Sequence, residues 1–133
     1  MPVTIVDHTA DIRLRAQSRS IQKSLLELSN FMLSLIYEGT VKAEERISST
    51  VIFSDAEGCV VSLLSDLIYN SDVRMMNYRV KLLRIDKWKI YWEGYGERFD
   101  ESRHQRRYVI KAATYDRIIV DRENGIIEIT LDI

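Results

Sequence analysis

The sequence predicts an α+β fold: a single two-layer domain spanning residues 1–133, with two main helices packed on a mainly antiparallel sheet. Three observations predict it. Two segments of the first half carry apolar residues at helical spacing. The second half alternates apolar and polar residues in run after run. Asn124-Gly125 then marks a hairpin between the last two runs. Hydrophobic residues make up 46% of the chain and charged residues 29%, enough apolar material for one core. One proline and five glycines leave little room for a flexible linker.

The first regular run follows Asp11, where Ile12, Leu14 and Ala16 alternate with Arg13 and Arg15 as in a strand with one face buried and the other in water. From Ser20 the period changes. Ile21, Leu25, Leu28, Met32 and Leu35 form one stripe of a helix over residues 20–37 that stops near Gly39. Val51 to Phe53 closes a strand, and Ser54-Asp55-Ala56-Glu57 has the capping-box spacing that opens a second helix over residues 55–70. Its apolar stripe of Val60, Leu64, Leu67 and Ile68 runs out at Asn70-Ser71-Asp72.

Val80 and Leu82, then Trp88, Ile90 and Trp92, alternate on either side of Asp86-Lys87 and predict two antiparallel strands joined by a short turn. Tyr108 and Ile110 to Tyr115 read as a further strand. Ile118 to Val120 and Ile126 to Leu131 flank Asn124-Gly125, which tolerates the positive φ of a tight hairpin.

Nineteen basic and twenty acidic residues give a net charge of -1, so no overall field concentrates nucleic acid or an anionic membrane, and stable direct binding of either is not expected. A lone cysteine, Cys59, forms no internal disulfide and fits a reducing compartment. Cys59, His8 and His104, widely separated, do not make a structural zinc site. The N-terminal residues have neither a basic nor an apolar signal region, and no apolar run reaches bilayer length, so a cytoplasmic location is expected.

Motifs for an enzyme of its own are missing. Gly94-Tyr95-Gly96 lacks the third glycine and the helix of a dinucleotide loop, and reads as a bend or bulge in a strand. No His lies near Cys59 in sequence to act as its base, so a buried structural thiol is the expected role. Asp7-His8-Thr9-Ala10-Asp11-Ile12 packs two carboxylates, an imidazole and a hydroxyl before a strand. Taken alone it fits a hydrogen-bonded turn better than a cation site. Leu131-Asp132-Ile133 changes that balance, because an isolated carboxylate on an apolar strand, followed by a terminal carboxylate, invites a cation. Residues 96–107 order their acids before Arg103, His104, Arg106 and Arg107, and read by composition as a solvated loop with a cationic edge.

These segments are also where the chain resembles a known family. The hexapeptide 7–12, Ser20-Ile21, Leu63-Leu64-Ser65-Asp66-Leu67-Ile68-Tyr69, Gly96-Glu97 with Arg103-His104, Lys111-Ala112-Ala113-Thr114-Tyr115 and Leu131-Asp132-Ile133 are together similar to the archease family, in order along nearly the whole chain. The resemblance implies an accessory protein, not itself an enzyme. Such a protein activates an RtcB-type tRNA-splicing RNA ligase by promoting its guanylylation and turnover and broadening its nucleoside triphosphate specificity. It also implies Ca²⁺ binding, with Mg²⁺ as an alternative, through Asp11, Asp132 and the main-chain oxygen of Ile133. His8, Glu97, Arg103, His104 and Lys111 are expected around the metal as partner-binding or supporting residues. Asp116 stands where the family usually has His. Two other readings remain open: a chaperone or modulator of DNA- and RNA-processing enzymes, and a small metal-dependent hydrolase.

Overall fold

The chain opens as a hairpin of β1 (Val3–His8) and β2 (Asp11–Gln17). The computed structural model describes residues 3–8 and 11–133, and of Asp7 and His8 the main chain only. Next come α1 (Ile21–Ile36), β3 (Tyr37–Glu38), β4 (Glu45–Ile52) and α2 (Ala56–Arg74). The second half is β5 (Met76–Asp86), β6 (Lys89–Arg98), β7 (Gln105–Arg106), β8 (Ala112–Asp121) and β9 (Ile126–Asp132).

The α+β class stands, with the strands divided among separate antiparallel sheets. One has the order β1-β2-β9-β8, one β4-β6-β5, and a two-stranded ribbon pairs β3 with β7. Both larger sheets turn their apolar faces to the helices in one shared core. In the four-stranded sheet Ile12 lies opposite Leu131, Leu14 opposite Ile129 and Ala16 opposite Ile127, and all six are fully buried. Period-two alternation then fixes the other face: Asp11, Arg13 and Arg15 of β2 share it with Asp132, Thr130 and Glu128 of β9.

Ser20 caps α1 by accepting from the Lys23 N–H at 3.1 Å. At its other end, two C-terminal carbonyls, those of Leu35 and Ile36, accept from the main-chain N–H groups of Tyr108 and Arg107. Residues 107–108 are therefore tied to the helix rather than extending a strand, and β8 begins only at Ala112. On its flank α1 reaches β5, the outer strand of its sheet. Asn30 accepts from the Val80 N–H at 2.7 Å and donates to the Val80 carbonyl at 2.9 Å, and Gln22 donates to the Leu83 carbonyl at 3.1 Å.

The second helix differs from its sequence reading at both ends. Asp55, not Ser54, is the N-cap, its carboxylate accepting from Gly58 N–H at 2.6 Å. The helix continues through the polar Asn70-Ser71-Asp72 because Ser71 is buried and donates to the Met76 carbonyl, and it ends on Met75 in the left-handed region at φ 50°. Asp66 and Leu67 of α2 anchor the three-stranded sheet. Trp92 Nε1 donates to the Asp66 carboxylate at 2.8 Å and Tyr78 donates to the Leu67 carbonyl at 2.7 Å, with the two rings stacked 5.7 Å apart.

The β5–β6 hairpin turns at Lys87, as its sequence predicts. The irregularity near Gly94-Tyr95-Gly96 sits on the facing strand, where β5 bulges between Val80 and Leu82. The glycines serve close approach. A Cβ on Gly96 would be driven into the Asn77 carbonyl and Tyr78, so Gly96→Ala is expected to cost about 1–3 kcal/mol. Urea unfolding measures that loss. The final hairpin uses the four residues 122–125, with Gly125 alone at positive φ (63°) while Asp121 accepts from the Asn124 N–H, rather than a two-residue Asn-Gly turn.

Candidate functional site

Asp11 opens β2 and Asp132 ends β9, and the strand register places them directly opposite one another. Ala112 of β8 is the next partner of Asp132, so three strands meet at this level. Cross-strand neighbours point to the same face with Cβ atoms about 4.5–5.5 Å apart, and like charges so placed repel. Among the described residues, no side chain donates a hydrogen bond to either carboxylate or forms an ion pair with it. Ile133, whose side chain packs at the core margin, follows directly. Lys111 reaches Asp132 through its main chain, its N–H donating to the Asp132 carbonyl at 2.7 Å.

The next level of the same face holds a described cation two residues from Asp11. Arg13 is expected in water by its alternation, yet it is only 7% exposed, because β8 bulges between Thr114 and Ile119 with Arg117 at φ 51°. Its guanidinium donates to Thr130 Oγ1 at 2.9 Å, to the Arg117 carbonyl at 2.6 Å and to Glu128 at 2.9 Å. Thr130 in turn donates to the Asp116 carbonyl at 3.0 Å. The charge nearest the acidic pair in register is thus committed to Glu128. These supporting residues escape a reading by period alone, and the only signal is an arginine two residues from an acidic strand end.

Two carboxylates and a neighbouring main-chain oxygen suit a hard cation, which takes about six to eight oxygens at about 2.3–2.6 Å. Among the described residues no third His, Cys, Asp or Glu completes a cluster. The donor set is compatible with Ca²⁺ or Mg²⁺ and poor for zinc. The side chains of Asp7, His8 and Thr9 lie outside the described residues. The main chain of His8 pairs with Ile12, one position from Asp11.

Glu97, Arg103 and His104 assemble with one another at the end of β6. Glu97 and His104 are 2% and 3% exposed, so the solvated loop expected for this stretch is instead a packed turn. Arg103 forms a two-pronged ion pair with both Glu97 oxygens, and Glu97 also accepts from the Lys42 N–H at 2.7 Å. The Arg103 hydrogen bonds, followed by that main-chain donor, hold the Glu97 carboxyl down at about 2. The Asp100 N–H donates to His104 Nδ1 at 3.0 Å, which puts the ring proton on Nε2, 3.0 Å from the Thr40 carbonyl. Among the described residues, no hydrogen bond or ion pair joins this trio to Asp11 or Asp132. The premise that Arg103 is simply an exposed charge also changes, since it is the partner of a buried carboxylate and its reversal would set acid against acid.

Cys59 is buried, and burial pushes its thiol up to about 11, as befits a structural side chain. No helix among the described residues is long and apolar enough to cross a membrane.

Residues 4–133 match the archease protein family (MTH1598/TM1083). The chain is 28% identical over 123 residues to protein archease of Sulfolobus acidocaldarius, covering 90% of this chain and 88% of that one. It is 26% identical over 134 residues to protein archease of Danio rerio, covering 96% and 83%. In fold it matches the solution structure of Methanobacterium thermoautotrophicum protein 1598 with a TM-score of 0.81, at 21% identity and 99% coverage of both chains. It also matches an archease of Thermotoga maritima, described as a possible chaperone, with a TM-score of 0.63 at 15% identity, covering 97% and 94%.

Proposed function

Since the chain belongs to the archease family, we propose that it is an accessory protein that activates an RtcB-type tRNA-splicing RNA ligase. It promotes guanylylation and repeated turnover of the ligase and widens the range of nucleoside triphosphates accepted. The observation that carries this reading is the Asp11–Asp132 pair, two carboxylates with no side-chain partner among the described residues, held opposite one another where three strands meet. That pair, with the Ile133 main-chain oxygen, holds a Ca²⁺-like cation, Mg²⁺ being the alternative. A divalent cation held by Asp11, Asp132 and the Ile133 main-chain oxygen would supply positive charge suited to anionic oxygens such as those of a phosphate. The protein's own part is to fix the two acids by strand register and to keep Arg13 turned toward Glu128, so the acids stay free for the cation.

Support for an accessory role comes from the other reactive groups. The Cys59 thiol is held protonated, and both ring nitrogens of His104 are occupied, Nδ1 by the Asp100 N–H and Nε2 by the Thr40 carbonyl. The possible-chaperone description of the Thermotoga protein fits a role directed at another protein. The deciding experiment follows guanylylation of purified ligase at limiting nucleotide, with and without this protein and calcium. The expected result is a faster approach to full guanylylation only when both are present. An unchanged rate overturns the reading, and release of product from a phosphoester by the isolated protein would favour a hydrolase.

A further inference from the structure

A groove of about 500 Å³ runs between α2 and residues 106–112, beside the candidate site. Its apolar walls include Ile68, Ile110 and Ala112, and two side chains at its mouth are left largely in water: Tyr69 at 63% and Val109 at 72% exposed. Val73, one helical turn beyond Tyr69, is 61% exposed and extends the same apolar strip. Strips of this kind are uncommon on a surface that meets only solvent. Continuity with the acidic pair is direct, because Lys111 and Ala112 line the groove while their main chain and register bind them to Asp132.

The charges around the groove narrow the occupant. Arg106, Arg107 and Lys111 line it against the single carboxylate of Asp72. Arg107 already pairs with Glu38 at 3.5 Å, and Arg106 lies over the Tyr37 and Phe99 rings at 5.7 and 5.5 Å. A polynucleotide needs a run of uncommitted cations, which this rim does not offer. An apolar anchor with one or two acidic neighbours fits both the walls and the residual positive charge. We propose that this groove is the docking site for the ligase, receiving from its surface an apolar side chain flanked by carboxylates. The proposal rests on the ligase-activating function above and assigns the surface through which that function is delivered.

The test uses the full chain with calcium and the intact ligase. Tyr69→Ala and Val109→Glu are each expected to raise the dissociation constant for the ligase at least tenfold, with calcium affinity unchanged within twofold. Trp88→Ala, at the equally exposed β5–β6 turn, is expected to leave ligase affinity unchanged. Saturating Val109→Glu protein should restore full guanylylation, because the acidic pair is intact, whereas Asp11→Ala should fail at every concentration. Unchanged ligase affinity in both groove variants, with activation still lost in Asp11→Ala, overturns the groove and spares the function. Parent protein that neither binds nor activates the ligase overturns both. A single-stranded RNA oligonucleotide that binds the parent and is lost in the groove variants, with ligase affinity intact, overturns the assignment of a protein occupant.

Discussion

Replacing Asp11 or Asp132 with alanine is expected to abolish calcium binding and, with it, ligase activation. The two carboxylates face each other across one register position, so removing either leaves a single acid and a main-chain oxygen, too few charged ligands to hold a hydrated divalent ion. The thermal signature is equally direct. At a calcium concentration about a hundredfold above its dissociation constant, the parent should gain about 2.7 kcal/mol, a rise of roughly 10 °C for a domain of this size, and the variants should gain nothing. Without metal the order reverses. Asp132→Asn removes repulsion between directly opposed charges and should stabilise the metal-free protein by about 0.2–1 kcal/mol. Calorimetry with calcium and scanning fluorimetry with and without it give both halves. Variants that bind calcium like the parent would remove the acidic pair from the site. Variants that lose calcium yet still activate the ligase would make the ion structural.

The second large effect lies at the end of β6. Glu97→Ala should cost about 1–3 kcal/mol, because it leaves the Lys42 N–H without its acceptor inside a packed turn and leaves half-exposed Arg103 with Asp100 alone. The same carboxylate shapes the acid response. Arg103 holds it at about 2 in the folded protein against an ordinary 4.5, so the folded state binds fewer protons than the unfolded chain between those values. Its contribution is therefore complete above about pH 4.5 and is lost as the pH falls through about 2. Urea midpoints measured from pH 7 down to 2 should fall less steeply for Glu97→Gln than for the parent. Identical slopes would mean that another carboxylate sets the acid limit.

Much of the fold is written in periodicities that one segment settles alone. The stripe from Ile21 to Leu35 and the cap at Ser20 are local, and α1 spans 21–36 within the expected 20–37. The alternation around Asp86-Lys87 likewise yields β5 and β6. What stayed hidden depends on partners distant in sequence. Arg13 reads as a solvent residue until the bulge of β8 covers it, and Ser71 reads as a helix stop until β5 buries it. Glu97 and His104 look like loop charges because nothing local reveals the main-chain groups of Lys42 and Thr40 that receive them. The nearness of Asp11 and Asp132 is a property of the β2–β9 register. In the sequence it is visible only through likeness to a family.

The amide side chains that α1 lays along β5 have a consequence beyond holding helix to sheet. An outer strand with open N–H and carbonyl groups is a template on which a second copy of the same chain can add, and then a third. Asn30 occupies both main-chain groups of Val80, at the very place where the bulge already interrupts the strand, and Gln22 occupies the Leu83 carbonyl. A copy approaching from that side finds its pairing positions taken over the middle of the strand. Growth into filaments from β5 is therefore disfavoured by two uncharged residues of the helix, which add to the bulge itself and to Lys81, the charged residue that stands in it.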